Sequence, residues 1–120
     1  MAKHIKSPTV IKSAGNKVKL IEEFIGMVNS GNSDISIAKM KSPSGWEEPA
    51  QTPNFDEYTF VLKGTMHVKT KNTNYIINEN EVFIAQKGEI VQYSTPGPDG
   101  AEYIAICLPA FSPDTVNRKE

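Results

Sequence analysis

The chain has 120 residues, 38% of them hydrophobic and 22% charged, with a formal net charge of −1. This is the size of one domain with one core, and its balanced, scattered charge excludes a dedicated nucleic-acid face. The single cysteine, Cys107, excludes an internal disulfide, and no run approaches the roughly 20 apolar residues of a membrane helix.

In chain order, the start MAKHIKSPTV has no apolar stretch of secretory type, so a cytoplasmic protein is expected. Lys3, Lys6, Lys12, Lys17 and Lys19 form a mildly basic N-terminal region that reads as a solvated surface. Ile5, Val10 and Ile11 suggest a short strand or an arm. In NKVKLIEEFIGMVN (16–29), Leu20, Phe24 and Met27 fall near helical spacing. Gly26 limits that helix to one or two turns.

From Ile35 the period changes to two. ISIAKM, EYTFVLKG, TMHVKT, YIIN, EVFIA, EIVQYS and EYIAICL each read as a strand bounded by turn residues. Lys63-Gly64 reads as a hairpin turn, and TPGPDG (95–100) as a loop. Many short strands at close spacing predict an all-β sandwich or barrel. The expected organisation is an arm at 1–34, a barrel at 35–110 and a polar tail at 111–120.

GWEEPAQTPNFDEYTFVLKG (45–64) carries a resemblance to a family. Gly45, Glu57 and Gly64 stand in the register G-x5-H-x-H-x3-E-x6-G, and Gly88 fits G-x5-P-x-G-x2-H-x3-N. These are the two motifs of the cupins, which the chain resembles over residues 35–110. The resemblance implies a single-domain jelly-roll β-barrel, and a homodimer paired through its outer sheet with help from the N-terminal arm. It does not extend to the family's metal ligands. The histidine positions hold Gln51, Pro53 and Val91, leaving Glu57 alone of the usual set. Pro and Val have no side-chain donor, and one carboxylate with one amide makes a poor site for a transition metal. No cofactor is therefore expected, although Glu57 and Gln51 could contribute to an atypical divalent-metal site. His4 and His67 are not in ligand positions. The ethanolamine-utilisation cupins also lack the histidine set; their association with acetate kinase activity has no nucleotide-binding signature here to support it.

Strand alternation assigns faces. If Glu57 points inward as the resemblance implies, Thr59 and Val61 share its face; on the second motif strand Val91, Glu89 and Tyr93 point inward. The expected ligand-binding set is Trp46, Gln51, Glu57, Glu89, Tyr93 and Tyr103, with Trp46 at the mouth; Tyr103 and Cys107 share one face of the last strand, and alternation leaves open whether it is the inner one. Glu57 and Tyr93 are the candidate catalytic pair, since buried carboxyl groups gain pKa values suited to acid–base work. Each also has a plainer reading: Glu57 as a strand cap, Tyr93 as core, Glu89 as surface. Cys107 reads as an inert core thiol and Glu47-Glu48 as a solvated turn. Three functions stay open: a binding protein for a small polar ligand without a transition metal; an enzyme, either an acid–base isomerase, epimerase or lyase or an atypical metal-dependent cupin built on Glu57; or an oligomeric module with a vestigial pocket.

Overall fold

The computed structural model describes residues 1–118; residues 119–120, the end of the expected tail, lie outside the described residues. The chain forms ten strands: β1 (Thr9–Ile11), β2 (Leu20–Ile25), β3 (Ser36–Ser42), β4 (Trp46–Glu47), β5 (Asp56–Gly64), β6 (Met66–Thr70), β7 (Asn74–Ile77), β8 (Val82–Ala85), β9 (Val91–Thr95) and β10 (Ala101–Leu108). Six make one sheet, in the order β1-β2-β3-β10-β5-β8; four make the other, in the order β4-β9-β6-β7. Neighbouring strands are antiparallel in both. The fold is all-β, as the alternating pattern predicts, and is the jelly roll that the resemblance implies. No helix among the described residues is long and apolar enough to cross a membrane.

Period-two alternation explains why the sheets face each other. In β10, Ala101, Tyr103, Ala105 and Cys107 are buried while Glu102, Ile104 and Ile106 are half-exposed on the other face. The inner faces meet in a core that includes Trp46, Val61, Met66, Val68, Phe83, Val91, Tyr93 and Tyr103. A smaller cluster of Phe55, Cys107 and Val116, with Phe111 packed on it, closes one end. Residues of the expected tail take part in that closure. Asn54 N donates to Thr115 O at 2.8 Å, and Gln51 forms a bridge with Arg118.

Two local expectations are corrected. The segment 16–29 holds no helical turn; its centre is β2, paired with β1 and β3. Leu20 and Met27, on the would-be helical face, are 43% and 53% exposed, whereas Ile21 and Glu23 are buried. Pairing on both sides overrides weak helical spacing. Lys63-Gly64 is not a hairpin turn either, because β5 and β6 belong to different sheets. Gly64, at φ +75°, lets the chain cross from one sheet to the other against the Gly100 carbonyl.

That corner can be tested against Gly31, which has a similar φ of +81° but open space around it. Gly31→Ala is expected to cost about 1–2 kcal/mol from left-handed strain alone. Gly64→Ala adds a clash with backbone, so urea denaturation should show a loss about 2 kcal/mol larger than for Gly31→Ala. Equal losses would contradict this reading of the corner.

Candidate functional site

Between the sheets lies a cavity of about 60 Å³. The strand register builds its wall in rows. Cys107 stands between Ser36 and Glu57, and Ala105 between Ala38 and Thr59. Tyr103, with Met40 beside it, continues the same face of β10. The opposite sheet contributes Tyr93, the segment after β4 contributes Glu48 and Gln51, and the C-terminal segment contributes Phe111 and Arg118.

Lys19 enters this wall just ahead of β2 and is only 8% exposed. Its position follows from how the N-terminal segment docks. Trp46 Nε1 donates to Ala14 O at 3.0 Å, and Asn16 and Glu47 exchange two hydrogen bonds. Gly15 permits that approach, since a Cβ there would lie 2.5 Å from Trp46 Nε1. Lys19 Nζ then sits 4.2 Å above the Trp46 ring, a cation–π distance. It donates to Tyr103 Oη at 3.2 Å and lies 3.8 Å from Glu48 Oε1. Tyr103 Oη is also 2.8 Å from Ser42 Oγ.

On the far side, Tyr93 Oη donates to Glu57 Oε1 at 3.3 Å, longer than the roughly 2.5–3.0 Å of a firm O–H···O bond. Among the described residues, Glu48 Oε2 and Gln51 Oε1 are buried oxygens without a hydrogen-bond partner. Unpaired buried polar atoms are costly, and they concentrate where a site expects water or a ligand.

Electrostatics divide the groups. Burial raises Glu57, the Glu48 charge raises it further, and Lys19, the Tyr93 hydroxyl and Arg118 pull it back, leaving it at about 7. Burial also raises Glu48, opposed by Lys19 and Arg118. Burial disfavours the Lys19 ammonium, but Tyr103 and the Glu48 charge outweigh it, so its pKa stays above the ordinary 10.5. Burial, then the Glu57 charge, push Tyr93 well up. Burial and the same charge push Cys107 up, so the thiolate is not available near neutral pH.

The structure brings Gln51, Glu57, Tyr93 and Tyr103 together on the cavity wall, with Thr59 and Cys107. It does not bring in Glu89, which is exposed in a turn where its carboxylate accepts from Gln86 N at 2.9 Å. Strand β9 begins only at Val91, so alternation does not reach back to residue 89. Trp46 is not at a mouth; it is 1% exposed beneath Lys19. The Glu47-Glu48 pair is not a solvated turn: Glu47 is exposed, but Glu48 is 5% exposed and ion-paired. Sequence reasoning missed Lys19, Glu48 and Arg118. A period-two reading of β2, extended back from Ile21, would have put Lys19 on the inner face.

The cupin metal position does not fit a metal here. Gln51 offers one amide oxygen, and Pro53 and Val91 offer no donor. A Lys19 ammonium shares the cavity. No group of three or more His, Cys, Asp or Glu side chains suited to a metal occurs among the described residues.

No family model matches the chain. Over 96 residues it is 38% identical to endoribonuclease YbeY of Myxococcus xanthus, covering 80% of this chain and 33% of that protein. It thus spans about a third of the length of the curated relative it matches. Among solved structures it is similar to a predicted oxalate decarboxylase of Thermotoga maritima, with TM-score 0.73 and 17% identity, covering 91% of this chain and 99% of that one. It is also similar to an RmlC-like cupin of Shewanella frigidimarina, with TM-score 0.71 and 14% identity, covering 90% and 89%. The EutQ protein of Clostridium difficile gives TM-score 0.63 and 22% identity, covering 79% and 65%. At such identities the likeness is one of fold, and that fold is the cupin jelly roll.

The raised Glu57 has a consequence for stability. Between about pH 4.5 and 7 the native state keeps a proton that the unfolded chain releases. Stability therefore falls as pH rises through that window and levels off above it. At about 1.36 kcal/mol per pKa unit the loss is about 3 kcal/mol, with Glu48 adding in the same direction. Urea denaturation across the window should show this decline, and Glu57→Gln should remove most of it. A wild type without the decline, or a Gln variant that keeps it in full, would contradict the assignment.

Proposed function

We propose that the chain binds a small polar molecule inside the barrel, without the transition metal of typical cupins. The observation that carries this reading is a single cavity between the sheets lined by Lys19, Glu48, Glu57 and Tyr93, with buried oxygens of Glu48 and Gln51 left unpaired. Glu57 is the central polar contact, with Tyr93 and Gln51 beside it and Tyr103 orienting Lys19. A second reading, acid–base isomerase or lyase chemistry on the same ligand, is favoured by Glu57 alone. A carboxyl group at about 7 can both give and take a proton near neutral pH.

The ribonuclease name of the M. xanthus relative is not carried over. The match covers a third of that protein, and a net charge of −1 offers phosphates little attraction.

A homodimer fits the outer face of the six-stranded sheet. Two cross-strand rows point outward there: Ile84, Tyr58, Ile106 and Ile37, then Val82, Phe60, Ile104 and Lys39. Ile84, Val82 and Phe60 are 53%, 51% and 38% exposed, and a contiguous apolar patch of this kind suits a second copy. Sedimentation equilibrium should give twice 13.2 kDa, and Phe60→Asp with Ile84→Asp should give the monomer. A wild-type monomer would contradict the pairing.

The ligand reading is tested by a thermal-shift screen of small acids, amides, amines and polyols. At a hundred times Kd a ligand adds about 2.7 kcal/mol, a shift of several degrees for this size. At least one compound should produce it, and Glu57→Gln or Tyr93→Phe should shrink it. No shift from any compound would overturn the reading in favour of a vestigial pocket. Metal analysis of the purified chain should find no stoichiometric transition metal; one that Glu57→Gln removes would also overturn it.

A further inference from the structure

The Lys19 ammonium is under-supplied with acceptors. It has three N–H donors and one oxygen within hydrogen-bond reach, Tyr103 Oη at 3.2 Å. Met40 Sδ at 3.5 Å and the Trp46 face at 4.2 Å are weak partners. Glu48 Oε1, at 3.8 Å, is close enough for Coulomb attraction but beyond the roughly 2.7–3.2 Å of an N–H···O bond. Glu48 is also fixed by its own backbone: its N–H donates to Tyr93 O at 3.3 Å, and its carbonyl accepts from Gln92 Nε2 at 3.0 Å. A charge this buried is held at a cost unless hydrogen bonds satisfy it, and Lys19 is more than nine-tenths buried on a cavity wall.

We propose that Lys19 is the anion-binding group of the cavity, and that the site takes small hydroxy- or keto-monocarboxylates, of the size of glycolate or pyruvate, with the carboxylate on Nζ. The proposal rests on the small-molecule reading above and names its ligand class. Size sets the first limit. At roughly 10–15 Å³ per water-sized group, a cavity of about 60 Å³ holds about four to six such groups. Charge sets the second. Lys19 and Arg118 line the cavity as cations, which disfavours an amine ligand. Glu48 offsets one of these two cations, which leaves one positive charge for a ligand to answer, and Glu57 on the same wall repels a second anionic end. Glu23 is already committed, its Oε2 accepting from Val28 N and Asn29 N at 3.0 and 2.8 Å. The opposite wall supplies the Tyr93 hydroxyl and the Glu57 carboxyl for a hydroxyl or keto oxygen, and Ala38, Ala105 and Phe111 supply apolar surface for the carbon body.

Calorimetric titration of the full chain with glycolate, its neutral amide glycolamide, oxalate and ethanolamine tests this. Glycolate should bind about tenfold or more tighter than glycolamide. Lys19→Met should remove that advantage and leave glycolamide binding within about threefold. If the variant does not fold, the wild-type Lys19 Nζ resonance followed by NMR during glycolate titration decides: a saturable shift is expected, and none would overturn the Lys19 assignment. Glycolamide or ethanolamine binding as tightly as glycolate would overturn the Lys19 assignment while leaving the small-molecule reading intact. Oxalate binding more tightly than glycolate would overturn the monocarboxylate class. Silence from all four overturns this proposal; silence across the wider screen as well overturns the small-molecule reading beneath it.

Discussion

The interior of this barrel is organised by a buried ammonium. Lys19 lies on the Trp46 ring, donates to Tyr103 and faces Glu48. Each neighbour is tied to a different part of the chain. Trp46 is clasped by the Ala14–Asn16 segment, Tyr103 is bonded to Ser42 on β3, and Glu48 is bonded through its backbone to β9. The contact thus joins both sheets and the N-terminal segment at one point. Removing one partner of a buried pair leaves an uncompensated charge and costs about 3–5 kcal/mol.

The same contact sets the chemistry of the cavity. Glu23, Glu48 and Glu57 all reach this space; Lys19 faces Glu48 at 3.8 Å, while at Glu57 burial and the Glu48 charge outweigh Lys19, the Tyr93 bond and Arg118. Burial raises both acids, but their surroundings differ: Glu48 is ion-paired with Lys19, while Glu57 sits near its midpoint at neutral pH. Divergent environments for paired titratable groups are a common way for one cavity to bind a charge and handle a proton. Cys107 takes no part as a nucleophile, since its thiol is pushed up by burial and by Glu57.

The jelly-roll frame does not depend on metal ligands, because the turns that build it and the side chains that would bind a metal rest on different physics. Gly45, Gly64 and Gly88 all adopt positive φ, and Asn80, standing at another motif glycine position, adopts φ 64°. These positions turn the chain whatever the neighbouring side chains bind, which is why the motif was readable in Gly45, Glu57 and Gly64. Strand alternation likewise predicted Thr59, Val61 and Tyr93 on the inner face. It failed at Glu89, where the strand had not begun, and at Lys19, where a polar run gave no local sign of burial. The acidic pair Glu47-Glu48 was equally opaque, because an extended chain there sends one side chain out and the next in. Burial of a charge is decided by partners distant in sequence, and here they are residues 40, 46, 48 and 103.

The central claim is a permanently charged Lys19 inside the barrel, and heteronuclear NMR of its side-chain Cε and Nζ tests it most directly. The account predicts an ammonium that does not titrate below its ordinary 10.5 and whose protons exchange slowly with solvent. A neutral amine, or titration near neutral pH, would contradict it.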